Sequence, residues 1–281
     1  FNGEEKKIDE SLKNNISYMN LVDMMDFSRM DFDKFISLNA KKKIKIESRW
    51  DIVKKSDDIY ENQKSKIQVG IAKEIKNGKT VGILDLTKGE LGTRGTDETR
   101  RIEAEDAKNI LGVAVRENLG IPDGFFLNDK ENQLKIVEVI RQYQPDVILS
   151  NAPHDRHPDH GKGSDLVNTA IFLAGLPKIE NGLASWRPKK HFHYIQWLPL
   201  EPHFVVDISG FIETKVAACL AYKTQFFDPT SAEPQTPITS KNFTDSIRYR
   251  AYDLGRLIGT EAGEGFISRS YLGVNNLDSL L

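Results

Sequence analysis

The sequence predicts an α/β fold, a mostly parallel sheet flanked by helices, over residues 70–281, preceded by an atypical N-terminal segment at residues 1–69. Three observations predict it. Short, almost unbroken apolar runs stand at 81–86 and 146–150, the pattern of strands covered on both faces. Stretches of helical periodicity stand between and beside them, so helix and buried strand alternate as βαβ units require. Composition changes near residue 70, from a tract rich in Lys, Asp, Glu, Asn and Ser to one with regular apolar patterning. A chain of 281 residues lets such a unit bury about three quarters of its unfolded surface without a disulfide staple.

Taken in order, the elements are these. Within 1–69, Leu21, Met24, Met25 and Phe27 have helical spacing, and 41–46 alternates polar and apolar like an edge strand. A helix is expected at 71–75, with Gly78 just past its end. The strand at 81–86 leads into a glycine-rich loop, 89–96, and a helix at 98–111 that Gly112 closes. Leu134, Ile136, Val137, Val139 and Ile140 mark a helix at 131–143, which Pro145 stops before the strand at 146–150. Helix follows again at 166–173. The last third departs from this rhythm. It predicts strands at 191–198 and 204–208, helices at 211–227 and 243–258, an ordered loop or lid at 228–240, and a turn around Gly263, Glu264 and Gly265.

Composition excludes several classes of function. The formal net charge is −2, which offers no basic footprint for nucleic acid or an anionic membrane. Mean hydropathy is −0.46, and no run of 18 apolar residues predicts a spanning helix. One cysteine, Cys219, allows no intrachain disulfide. With no apolar stretch in the first twelve residues, the expected location is the reducing cytoplasm. The expected partner is a small molecule, with a homo-oligomer left open.

Chemistry concentrates in one block. Three of the six histidines lie within His154-Asp155-Arg156-His157-Pro158-Asp159-His160, directly after the strand at 146–150. Loops at the carboxyl ends of strands line the ligand crevice of open α/β sheets. Pro158 suits the first turn of a helix, so His157–His160 is expected to straddle a loop-to-helix junction. The i, i+3 spacing then turns both imidazoles to one side. Asp155 and Asp159 are carboxylates of the kind that fix an imidazole tautomer. A lone H-x-x-H is ordinarily a capped helix start with solvated rings. Three histidines and two aspartates at a strand end shift the reading toward a functional site.

DRHPDHG at 155–161, with GILDLTKGELGTRGT upstream at 82–96, resembles the PIG-L or LmbE-like family of zinc-dependent N-acetylglucosamine deacetylases. The stretches 204–226 and 254–277 are similar to the same family, and within it to the bacillithiol-biosynthesis branch, which deacetylates N-acetylglucosaminyl-malate. The resemblance covers residues 70–280 and implies a Rossmann-like sheet, one divalent metal (zinc) and an N-acetylglucosaminide substrate. It implies that His160 binds the metal, and that His157 stabilises the tetrahedral intermediate and protonates the leaving amine. Asp159 resembles the carboxylate that holds that histidine. Arg100 matches an arginine that contacts the sugar, while Arg156 and Asp155 match positions beside the metal loop. Arg94, from its charge alone, is assigned to a malate carboxylate or to a solvated loop.

The chain departs from this pattern ahead of residue 70, where the family carries an Ala-His-Pro-Asp-Asp loop with the remaining metal ligands and the general base. Ungapped counting places Ile59-Tyr60-Glu61-Asn62 there; a short insertion brings up Lys55-Ser56-Asp57-Asp58 instead. Two readings stand. Either Asp58 binds metal and Asp57 is the base, or residues 1–69 are unrelated to the family and the chain is an inactive homologue that keeps the sugar-binding fold. A dinucleotide site at Gly89, Gly92 and Gly95 is disfavoured, because G-x-x-G-x-x-G is not the G-x-G-x-x-G fingerprint. Trp186, Trp197, His191, His193 and His203 are expected to serve packing and internal hydrogen bonds.

Overall fold

The computed structural model describes residues 70–280, and the expectations for 21–27 and 41–46 lie outside them. The described elements run α1 (Gly70–Lys76), β1 (Gly82–Asp85), α2 (Asp97–Leu111), β2 (Val115–Asn118), α3 (Lys130–Tyr143), β3 (Val147–Ser150) and α4 (Pro158–Ala174). They continue with β4 (Lys190–Tyr194), β5 (Phe204–Asp207), α5 (Ile212–Leu220), α6 (Lys241–Leu257) and β6 (Gly263–Ser268). Short 3₁₀ turns lie at Pro237–Thr239 and Leu277–Leu280. The fold is α/β.

β1 pairs with β2 in parallel, and β3 with β4 likewise. β6 then runs antiparallel between β4 and β5, giving the order β3-β4-β6-β5. Parallel pairing thus holds where helix and strand alternate and gives way to antiparallel pairing in the last third. Two apolar clusters flank these strands. α3 and α4 supply Ile136, Val137, Ile140, Leu166 and Ala170, joined by Ile121 and Phe126 and packed against Leu86 and Ile148. The other cluster gathers Ala72, Ile208, Phe211, Ile212, Val216 and Ala251. Burying each large side chain of this kind stabilises the fold by about 1.5–3 kcal/mol.

Local chemistry sets the boundaries. Thr96 and Thr99 form a reciprocal cap at the start of α2. Gln144 ends α3 in the left-handed region, with φ at 47°, and Pro145 after it cannot continue the helix. His157 caps α4, with Pro158 in its first turn, as the sequence predicts.

Four expectations need correction. The helix expected at 211–227 stops at Leu220, because Thr224 and Gln225 are drawn into side-chain bonds with Glu103, Arg94 and Arg100. The strand expected at 191–198 ends at Tyr194, since residues 196–198 are bonded to Arg250 and Asp155 instead. β2 was not expected: VREN carries a single apolar residue, and it pairs through Arg116, which donates to Asp85 on β1 at 2.7 and 2.8 Å. β6 replaces the expected turn at 263–265, with Glu264 bonded to Lys215. Its glycines serve close approach. A Cβ on Gly255 of α6 would lie 2.5 Å from the Ala262 backbone, and one on Gly263 would strike Val205 and Gly255.

Candidate active site

The loop after β3 and the first turn of α4 bring His157, Asp159 and His160 together, with Asp155 beneath them. His160 N–H at Nδ1 donates to Asp155 Oδ2 at 2.5 Å, and the Asp155 side chain is fully buried. Asp155 Oδ1 accepts the Leu198 N–H at 3.0 Å. Burial alone raises this carboxyl, but the bonds from His160, Leu198 and the Arg156 backbone outweigh it and hold Asp155 below the usual carboxylate range. An ionised carboxylate only accepts, so His160 carries a proton at Nδ1 and its Nε2 points away from Asp155. This is the arrangement by which a buried carboxylate orients a metal-binding imidazole.

His157 is set differently. Its Nδ1 accepts the Asp159 N–H at 3.3 Å as the helix cap, which places the proton of the neutral ring at Nε2. The two ring centroids are 5.2 Å apart. The Asp159 carboxylate is buried and accepts from the Gly124 N–H at 2.6 Å and from Lys162 Nζ at 3.2 Å. Its bonds therefore anchor the 123–126 loop to α4, and its tie to His157 runs through the backbone N–H.

Behind this loop lies a second polar group. Ser150 Oγ lies 2.8 Å from His191 Nε2 and 3.1 Å from His193 Nδ1, which in turn is 2.8 Å from the Asn151 carbonyl. Arg269 Nε donates to His193 Nε2 and its Nη2 to Asp165 on α4. Burial, with the His193 and Arg269 charges, pushes His191 down to about 4. Both rings serve internal bonding, as does His203 with the Ser268 backbone.

The arginines are distributed unevenly. Arg94 is 2% exposed: its guanidinium donates to Glu233 Oε2 at 3.3 Å and to Ser231 Oγ, both from the 228–240 loop. It is not the solvated loop arginine that its sequence position allows. Arg100 donates to Gln225 Oε1 at 2.6 Å and lies against the glycine loop, where a Cβ on Gly89 or Gly92 would collide with its guanidinium. Arg156 is exposed and lies over the Trp197 ring, 4.6 Å from its centre, and Trp197 stacks on Phe243 at 4.9 Å. Trp186 packs against the α3–α4 cluster and donates to the Pro145 carbonyl.

Sequence reading missed Glu233, Gln225 and Arg250 as neighbours of these residues. Arg250 had a signal. Ile247, Ala251 and Leu254 mark the inward stripe of α6, and Arg250 is a charge set beside it. Among the described residues no group of three His, Cys, Asp or Glu is placed to hold a metal ion. They offer one oriented imidazole, His160; Asp57 and Asp58 lie outside the described residues.

Known proteins are similar to the chain over about three quarters of its length. The profile of the PIG-L family, described as GlcNAc-PI de-N-acetylase, matches residues 66–171. A diacetylchitobiose deacetylase of Thermococcus kodakarensis is 30% identical over 221 residues, covering 72% of this chain and 80% of that protein. A 4-oxalmesaconate hydratase of Pseudomonas putida is 29% identical over 48% of this chain and 54% of its own length. The crystal structure of a conserved protein of Thermus thermophilus superposes with a TM-score of 0.66 at 35% identity, over 73% of this chain and 89% of that one. The histidine block sits inside the matched segment, and the likeness extends well beyond it: the chain belongs to the PIG-L, or GlcNAc-PI de-N-acetylase, family.

Proposed function

We propose that the chain is an N-deacetylase that hydrolyses the acetamide of an N-acetylglucosaminide, with N-acetylglucosaminyl-malate of bacillithiol biosynthesis as substrate and the cytoplasm as location. Residues 70–281 are the deacetylase domain in this reading, and residues 1–69 stand outside it. The observation that carries it is the His157–His160 pair at the start of α4, with His160 oriented by buried Asp155. The acetyl carbon–nitrogen bond breaks as water adds to the carbonyl, giving acetate and a free amine. Protonated at both nitrogens, at the expense of its 3.3 Å cap bond, His157 donates from Nε2 to the developing oxyanion, worth about 3–4 kcal/mol for one well-placed donor. It then passes that proton to the departing nitrogen and returns to the neutral ring, while Asp57, the base in this reading, takes the proton of the attacking water. Arg100 holds the sugar. A divalent metal, zinc, belongs to this reading: His160 would hold it, and when bound it supplies a Lewis acid and water with a pKa near 7.

The test is release of amine and acetate by the zinc-supplemented protein from N-acetylglucosaminyl-malate and from N,N′-diacetylchitobiose. Release that a chelator abolishes and zinc restores supports the proposal; no release from either substrate at high enzyme concentration rejects it. A second reading, an inactive homologue that retains sugar binding, is favoured by the lack of a His-Pro-Asp-Asp sequence ahead of residue 70. It predicts glycoside binding by calorimetry without stoichiometric zinc by elemental analysis. The deacetylase likeness spans more of the chain than the hydratase likeness, 72% against 48%.

A further inference from the structure

The arginines near the histidine pair differ in what already neutralises them. Arg94 is closed off by Glu233 and Ser231, and Arg116 by Asp85. Arg100 is bonded to the neutral Gln225 and packed against the glycine loop, and two others, Arg250 and Arg156, likewise have no carboxylate bonded to them among the described residues. Arg250, half-buried on α6, donates through Nη1 to the Gln196 backbone carbonyl, one bond from a group with five N–H donors. Arg156 lies on the Trp197 ring. These anchor points are consecutive residues, and the next, Leu198, donates to Asp155 beneath His160. The segment 196–198 therefore brings two uncompensated guanidinium groups to the flank of the histidine pair. Asp155 is the carboxylate whose field reaches Arg250, and both its oxygens are taken, by His160 and by Leu198 N–H. Burial draws Arg250 below the usual guanidinium range, with Asp155 opposing, as expected of a cation that lacks a full counter-charge.

We infer that Arg250, with Arg156 beside it, is the receptor for carboxylate groups on the part of the substrate that the reaction leaves intact, and that Arg94 is not. The inference rests on the deacetylase reading and names the substrate class it serves: a glucosaminide with an anionic, carboxylate-bearing aglycone. Arginine suits the task because its planar fork meets a carboxylate with two parallel N–H donors. Arg94 would have to give up Glu233 to do the same.

The experiment compares wild type with R250Q and R250K, each checked for an unchanged circular-dichroism spectrum. It reads the ratio of kcat/KM for N-acetylglucosaminyl-malate over that for neutral N,N′-diacetylchitobiose, and the binding of free malate by calorimetry. The ratio should fall roughly ten- to hundredfold in R250Q, the weight of a charge-assisted hydrogen bond, and by a smaller factor in R250K. Malate binding should be lost in R250Q. A ratio that holds in R250Q, or malate binding that survives there, overturns the inference. Should R250Q not fold, R250K decides: an unchanged ratio with lysine in place overturns it equally. If the wild type cleaves neither substrate, the deacetylase reading falls by itself, and the malate titration still judges the arginine pair.

Discussion

The histidine end of the site and the arginine loop are built on opposite plans. At the histidine end, buried partners grip one side of each ring: Asp155 holds His160 at Nδ1 and the Asp159 N–H meets His157 at Nδ1, so both Nε2 atoms are left outward. In the glycine-rich loop at 89–96 and the first turns of α2, the polar groups are turned inward and consumed. Glu103 accepts both the N–H and the hydroxyl of Thr224, Arg94 takes Glu233, and Gln225 bridges Arg100 to the Arg94 carbonyl. One region orients groups and leaves their reactive atoms available; the other uses its groups to lock loops together. Substitutions should therefore separate activity from stability according to the region they touch.

The largest expected effect is at His157. H157Q should lower kcat by about 10²- to 10⁴-fold with little change in KM, as loss of a general acid does, while the urea midpoint stays near wild type. A midpoint that falls in step with activity would place this histidine with the structural groups and erase the contrast. D155N comes next. It keeps the shape but weakens the hold on His160, so metal affinity or activity should drop about 10- to 100-fold, measured by zinc titration and by turnover.

The loop variants should invert that pattern. E103A, at a buried residue of α2, strands two donors of half-buried Thr224, costing about 1–3 kcal/mol in urea unfolding. KM for the sugar should change less than stability does; an E103A protein of full stability would show that the loop is not locked as described. The smallest effect is a pH dependence. His191 is held at about 4 in the fold against 6.5 as its ordinary value, so the unfolded chain binds more protons between these limits. Its contribution is complete above pH 6.5 and is lost as pH falls toward 4. Urea midpoints measured across that window should decline in the wild type and decline less in H191N.

What sequence could and could not reveal follows the same division. The histidine block is contiguous, so its residues, its helix cap and its place after β3 are all legible in seven letters. The Arg94–Glu233 contact spans 139 positions, and nothing local in either residue signals the other. β6 escaped because glycines that mark turns elsewhere serve here to let α6 approach the sheet. β2 escaped because an edge strand pairing through Arg116 and Asp85 has no apolar run. The helix predicted through residue 227 failed for a related reason: Thr224 and Gln225 have helical neighbours in sequence but distant partners in space.

Asp155 grips the ring of His160 with one oxygen and the chain at Leu198 with the other. The wall that carries Trp197 and receives Arg250 is thereby geared to the imidazole. A ligand that shifts this wall pulls on the same carboxylate that aims the ring.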